Sequence, residues 1–154
     1  APLIVGTPAY MSPEHTLRTR QGVDARSDLY SLGVTLYEMF TGTLPFDAGA
    51  AAPLNEWAHS HMARAPAPPH LVHHEVPIPV SLVILKLLDK NPSRRYQSAA
   101  GLQADLGRCA DAWSRNEHIE PFELGLQDVA PPGVMASRVH TTEAPPGGAY
   151  PGGL

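Results

Sequence analysis

The stretch that most constrains this chain is DLYSLGVTLYEMF, residues 28–40. It reads as one helix with apolar residues on every side: Leu29, Tyr30, Leu32, Val34, Leu36, Tyr37, Met39 and Phe40 leave no polar face wide enough to meet water. A helix that is hydrophobic all round belongs in the middle of a protein, with other elements packed about it. Its ends are marked. Ser27 is placed to cap the first turn, and Asp28 puts a negative charge at the positive end of the helix dipole. Gly42 follows the last periodic residue, where a left-handed stop favours glycine, and Pro45 prevents resumption. The core helix is therefore expected over about residues 27–41.

Around it the chain reads as mainly α. Residues 1–26 are irregular: Gly6-Thr7-Pro8 and Ser12-Pro13 are turn chemistry, a single helical turn is expected over 14–18, and Arg18, Arg20 and Arg26 read as a solvated face. After the core helix, Phe46 is expected to anchor a loop to the core. A second helix covers 54–64, with Leu54, Trp57, Ala58 and His61 on one face. The proline-rich stretch 65–79 reads as an extended loop. A third, strongly apolar helix runs from Val80 to Lys90 and is stopped by Asn91-Pro92. A fourth begins near Ser98, and its Leu102, Leu106, Cys109 and Trp113 recur at spacings of three and four as one buried stripe. Cys109 is then a core residue rather than a reactive thiol. From Ala130 the sequence loses periodicity and becomes rich in proline and glycine, so residues 131–154 are expected to form a disordered tail. No strand is assigned.

Composition removes several function classes. A formal charge of −4 gives no electrostatic case for nucleic acid or an anionic membrane. The single cysteine excludes an internal disulfide framework and fits a reducing, cytoplasmic setting. The longest apolar run is far too short to span a bilayer. The first residues lack a methionine and a charged n-region, so they do not read as a signal peptide; the chain is expected to be the middle of something longer. His59, His61, His73 and His74 lack the spacing and companions of a metal site and read as ordinary surface histidines. No glycine-rich phosphate loop precedes a helix, and no Gly-x-Ser-x-Gly elbow is present.

Three motifs rise above this background: GTPAYMSPE at 6–14, DARSDLYSLGVTLYEMFTGTLPF at 24–46 and NPSRRYQSA at 91–99. In this order and spacing they resemble the C-terminal lobe of a eukaryotic-type serine/threonine protein kinase, over about residues 3–115. The resemblance implies that Ser12-Pro13-Glu14 closes the activation segment and that Glu14 pairs with Arg95. It implies that Asp28 opens the central helix and accepts backbone N–H groups from the catalytic loop. Gly6, Thr7 and Pro8 would belong to the loop receiving the residue after the phosphoacceptor, with Thr7 supporting the catalytic aspartate. Read without the resemblance, Glu14 and Arg95 are merely surface charges.

The motifs that phosphoryl transfer requires in this family are a glycine-rich loop, a strand lysine, a His-Arg-Asp loop with its asparagine and an Asp-Phe-Gly magnesium ligand. All of them precede Gly6 in the family, and none is in this chain. No catalytic residue and no metal ligand is therefore assigned. This chain is expected to bind no cofactor alone, with ATP and magnesium belonging to the parent kinase. The partners implied are a protein substrate and the missing N-lobe and catalytic loop, with neither nucleic acid nor membrane. The expected organisation is a partial kinase domain over 1–116, a following segment over 117–130 and the tail. ADAWSRNEHIEPFELGLQDV, 110–129, resembles the segment that follows the kinase in large bacterial signalling proteins, where an ATPase-like module and often a sensor histidine kinase come next. Two other expectations stand beside this one: a non-catalytic docking module, its surface built on the second helix and the proline-rich loop, or an inactive remnant of a kinase.

Overall fold

A computed structural model describes residues 7–17 and 23–132. Gly6, Arg18 and Arg20, together with residues 133–154 of the expected tail, lie outside the described residues. Six α-helices are found among the described residues: α1 Pro13–Leu17, α2 Ala25–Thr41, α3 Leu54–Ala63, α4 Pro69–Val72, α5 Ile78–Leu87 and α6 Ala99–Ser114. Two 3-10 turns, Pro8–Tyr10 and Pro92–Arg94, sit at the joints, and no strand occurs among the described residues.

α2 is the central helix, but its start differs from expectation. Asp24, extended at φ −132°, caps it by accepting the Arg26 N–H at 2.8 Å. With that role filled upstream, Ser27 sits inside the first turn, buried, and its hydroxyl donates to Glu14. The stop is as read: Gly42 takes φ 76° and its N–H closes on the Glu38 carbonyl at 2.8 Å.

The apolar surround of α2 is buried on one side. Leu29, Tyr30, Val34 and Tyr37 are 6 % exposed or less, whereas Leu32 and Met39 are 39 % and 68 % exposed. α5 covers the buried side and comes very close at Gly33, where a Cβ would stand 2.7 Å from the Leu87 Cβ. Only glycine permits that approach. α5 begins two residues earlier than Val80, because Pro77 and Pro79 supply the fixed φ that a first turn accepts. Val83, Ile84, Leu87 and Leu88 then bury completely or nearly so.

α3 contributes Trp57, Ser60 and His61 to the interior, and Phe46 at 1 % exposure anchors the preceding loop as expected. The proline-rich stretch holds one turn of helix, α4, entered through Pro68 and Pro69, rather than an extended loop throughout. α6 is capped by Ser98, whose hydroxyl accepts the Gly101 N–H at 3.0 Å. Its stripe is buried at Leu102 and Cys109 and half-buried at Leu106, but Trp113 is 61 % exposed. The apolar stripe outruns the surface it packs on. Trp113, Met39 and Phe40 instead line an open apolar groove of about 500 Å³ between α2 and α6.

After a left-handed turn at Asn116 the chain comes back onto the lobe. Ile119 is buried in the main core cluster with Cys109, and Phe122 packs against that cluster beneath the Arg108 guanidinium. The Gly125 N–H donates to Asp105 at 2.8 Å. The Asp128 carboxylate accepts the Gln97 and Ser98 N–H groups at 2.6 and 2.9 Å and the Ser98 hydroxyl at 2.7 Å. No helix among the described residues is long and apolar enough to cross a membrane.

Candidate functional site

The 3-10 turn Pro8–Tyr10 follows Thr7, which is exposed, extended and makes no side-chain cap. The turn is held from three directions. Ser31 on α2 donates to the Tyr10 carbonyl at 2.6 Å, the Tyr10 hydroxyl donates to Glu38, and His61 Nε2 meets the Pro8 carbonyl at 3.0 Å. Behind the turn, Met11, Ser12 and Pro13 are buried, and Ser12 Oγ accepts the His15 N–H at the start of α1.

That placement delivers Glu14 to Arg95. The guanidinium grips the carboxylate in a two-pronged contact, Nη1 to Oε1 at 2.6 Å and Nη2 to Oε2 at 2.9 Å. Its other N–H groups donate to the carbonyls of Asp89 at 2.7 Å, Arg26 at 3.0 Å and Lys90 at 3.3 Å. All five donors of a side chain only 1 % exposed are thus used. Its face lies over the Tyr30 ring, 4.8 Å from the centroid. Glu14 also accepts the Ser27 hydroxyl at 2.8 Å. Burial alone would raise the Glu14 pKa, but the Arg95 hydrogen bonds and charge outweigh it and hold the carboxyl below its ordinary value. Surface charges, the reading available without the resemblance, do not describe this pair.

The remaining expected residues are arranged differently. Thr7 and Pro8 sit on the outer edge of the turn, and Asp28 is exposed in the first turn of α2, apart from the Glu14 pair. Sequence reasoning missed four participants. His61 is 0 % exposed, so the surface reading given to the histidines fails for it. The signal was its place on the apolar face of α3, four residues after Trp57. Tyr30 donates to His61 and stacks on Arg95. Lys90 reaches over Phe46, 4.1 Å from the ring centroid, with its ammonium buried and without a hydrogen-bond partner among the described residues. Burial and the nearby Arg95 charge push its pKa down to about 8. Asp128 gave no signal at all.

Two serine–histidine contacts, Ser12 with His15 and Ser81 with His70, lie elsewhere; each serine is 0 % exposed. Both serve as turn and helix fastenings. No group of three or more metal-ligating side chains occurs among the described residues.

The arrangement can therefore hold a turn and a short helix rigidly against a helical platform. The protein kinase domain family matches residues 2–106. A serine/threonine-protein kinase PksC of Streptomyces coelicolor is 41 % identical over 108 residues, which is 70 % of this chain and 18 % of that protein. A serine/threonine-protein kinase PknB of Mycobacterium tuberculosis is 43 % identical over 105 residues, 68 % of this chain and 16 % of its own length. A hybrid signal transduction histidine kinase G of Dictyostelium discoideum is 50 % identical over 97 residues, 63 % of this chain and 3 % of that protein. The chain thus spans less than a fifth of the length of these relatives. The match reaches across the turn, the central helix and the loop that carries Arg95, and the chain belongs to the protein kinase domain family.

Proposed function

We propose that this chain supplies the substrate-side half of a serine/threonine protein kinase acting in signal transduction. In that reading the parent transfers the γ-phosphoryl group of ATP, with magnesium, to a protein hydroxyl. The observation that carries it is the buried contact between Glu14 and Arg95, 81 residues apart, each in the motif where the family resemblance expects it. Gly6, Thr7 and Pro8 would receive the residue after the phosphoacceptor. Thr7 would support the catalytic aspartate, and Asp28 would accept N–H groups from the catalytic loop. In that reading ATP and magnesium are held by the parent kinase, because the family's nucleotide-binding motifs all precede Gly6. The chain's own contribution is to position and to support.

The test is twofold. Calorimetric titration of the 154-residue chain with Mg-ATP should give no saturable binding, and a radiolabelled phosphate assay on a basic protein should give no transfer. Joining the chain to the upstream half of a relative such as PknB should restore both. Micromolar binding with turnover by the chain alone, or a fused polypeptide that folds but transfers nothing, would overturn the reading.

A second reading, a docking module without catalysis, draws on the apolar groove lined by Met39, Phe40 and Trp113. Thermal unfolding of the chain alone separates the two. The kinase reading expects poor solubility and hydrophobic-dye binding. A cooperative transition well above room temperature, in a monomer, favours the docking module.

A further inference from the structure

His61 is wedged among aromatic rings and hydrogen-bonded at both nitrogens. The Pro8 carbonyl, 3.0 Å from Nε2, has only lone pairs to offer, so Nε2 carries the proton and donates. In the neutral ring Nδ1 is then an acceptor, and the Tyr30 hydroxyl donates to it at 2.9 Å. Phe46 and Tyr30 meet the ring edge-on at 5.4 and 5.6 Å, and Trp57 stacks at 6.3 Å, which leaves it no room to turn. Burial, reinforced by the Lys90 charge, pushes the imidazole pKa down to about 4, so this tautomer persists at neutral pH.

The other two fastenings of the turn, Ser31 and Glu38, both act on Tyr10. At Pro8, next to exposed Thr7, the fastening is His61. A core residue chosen only for volume would not carry two polar nitrogens into an aromatic pocket, because their desolvation is offset only when both are bonded.

We propose that His61 is a positioning residue for the protein substrate: its Nε2–H fixes the Pro8 carbonyl and thereby the exposed edge at Thr7 on which the acceptor peptide lies. The assignment rests on the phosphotransfer reading above.

The test uses the full chain joined to the upstream half of PknB. A glutamine amide nitrogen reaches roughly where Nε2 stands, whereas an asparagine is too short. His61→Asn should raise the peptide KM about tenfold, with the ATP KM within about twofold, while His61→Gln stays within about threefold of the parent. An unchanged peptide KM in His61→Asn, or a fall in kcat alone, overturns the proposal, as does equal damage from the two variants. Amide exchange reads the same pin without catalysis, through the Tyr10 and Met11 N–H groups that close on the Thr7 and Pro8 carbonyls. Exchange about tenfold faster at these two amides in His61→Asn alone, with α2 amides unchanged, supports the pin; no change, or a uniform change, sinks it. If the parent polypeptide transfers no phosphate, the phosphotransfer reading fails, and the exchange result still decides the pin. Should His61→Asn not fold, Tyr30→Phe takes its place: a peptide KM raised about threefold supports the assignment, and an unchanged one overturns it.

Discussion

Two carboxylates fasten the two ends of this lobe to one loop, residues 89–98, and they do so by different physics. Glu14 arrives from the N-terminal side and meets a buried cation, Arg95, at 2.6 and 2.9 Å. Asp128 arrives from the C-terminal side and meets no cation there: it accepts two backbone N–H groups and a hydroxyl at the start of α6. The first is a buried ion pair whose loss strands a charge. The second braces the Ser98 cap from 30 residues away, and its loss strands two half-buried N–H dipoles just before the helix. Similar distances thus conceal unequal consequences, because the stranded partner sets the cost.

The contrast is easiest to break at Glu14. In the fused polypeptide, Glu14→Ala should lose about 3–5 kcal/mol in denaturant unfolding, since Arg95 keeps its charge in a site 1 % exposed. A loss below about 1 kcal/mol would mean water reaches the guanidinium and the two fastenings are alike. Ending the chain after residue 116 should cost about 2–4 kcal/mol, from the lost burial of Ile119 together with the lost Asp128 hydrogen bonds. An unchanged unfolding midpoint would show that residues 117–129 merely rest on the surface.

Asp128→Ala alone should cost about 0.5–2 kcal/mol. Gly101→Ala should cost more, because its Cβ would stand 2.3 Å from Asp128 Oδ1 and 2.4 Å from Asp128 Cβ, so the backbone of the returning segment must shift with the carboxylate. The double variant should then lose little more than Gly101→Ala alone; full additivity would uncouple the two residues.

Protonation bears on the same core. The Glu14 pKa is lowered by folding, so the unfolded chain binds the proton first as pH falls. The stability from the pair is complete above about pH 4.5, the ordinary value, and declines below it. His61, held near 4 against an ordinary 6.5, likewise favours the unfolded chain as pH drops between those values. Unfolding midpoints measured from pH 7 to 3 should fall in two stages, with the lower stage reduced in Glu14→Ala, where the Asp24 carboxyl beside Arg26 is still held below its ordinary value, and the upper absent in His61→Gln.

The readable parts of the sequence were those with local rules. Gly42 and Ser98 stop and start their helices as their chemistry dictates, and α3, α5 and α6 follow their apolar spacing. Local rules also misled. Ser27 is a good cap, but Asp24 stands earlier and takes the role, and Trp113 continues a stripe beyond its packing surface. Prolines hid the single turn of α4. In the site, Glu14 and Arg95 were legible only as members of two distant motifs, since periodicity says nothing about residues 81 apart. His61 stood on an apolar face but was read by residue type, and type predicts exposure where partners decide burial. Asp128 belongs to no period, and its partners are backbone groups, which every residue possesses.

The return of the chain across α6 has a mechanical consequence. Tension applied along the chain beyond residue 129 reaches Asp128 before it reaches Ile119. The three bonds of that carboxylate converge on two adjacent residues, Gln97 and Ser98. The Gln97 side chain in turn holds the Arg95 carbonyl at 2.7 Å and the Arg26 guanidinium at 3.1 Å. A pull is therefore delivered to the backbone that carries Arg95, while Ile119 and Phe122 stay unloaded until the clasp at Asp128 parts. The segment works as a strain relief on a cable: it takes the load at the clasp and keeps it from Ile119 and Phe122.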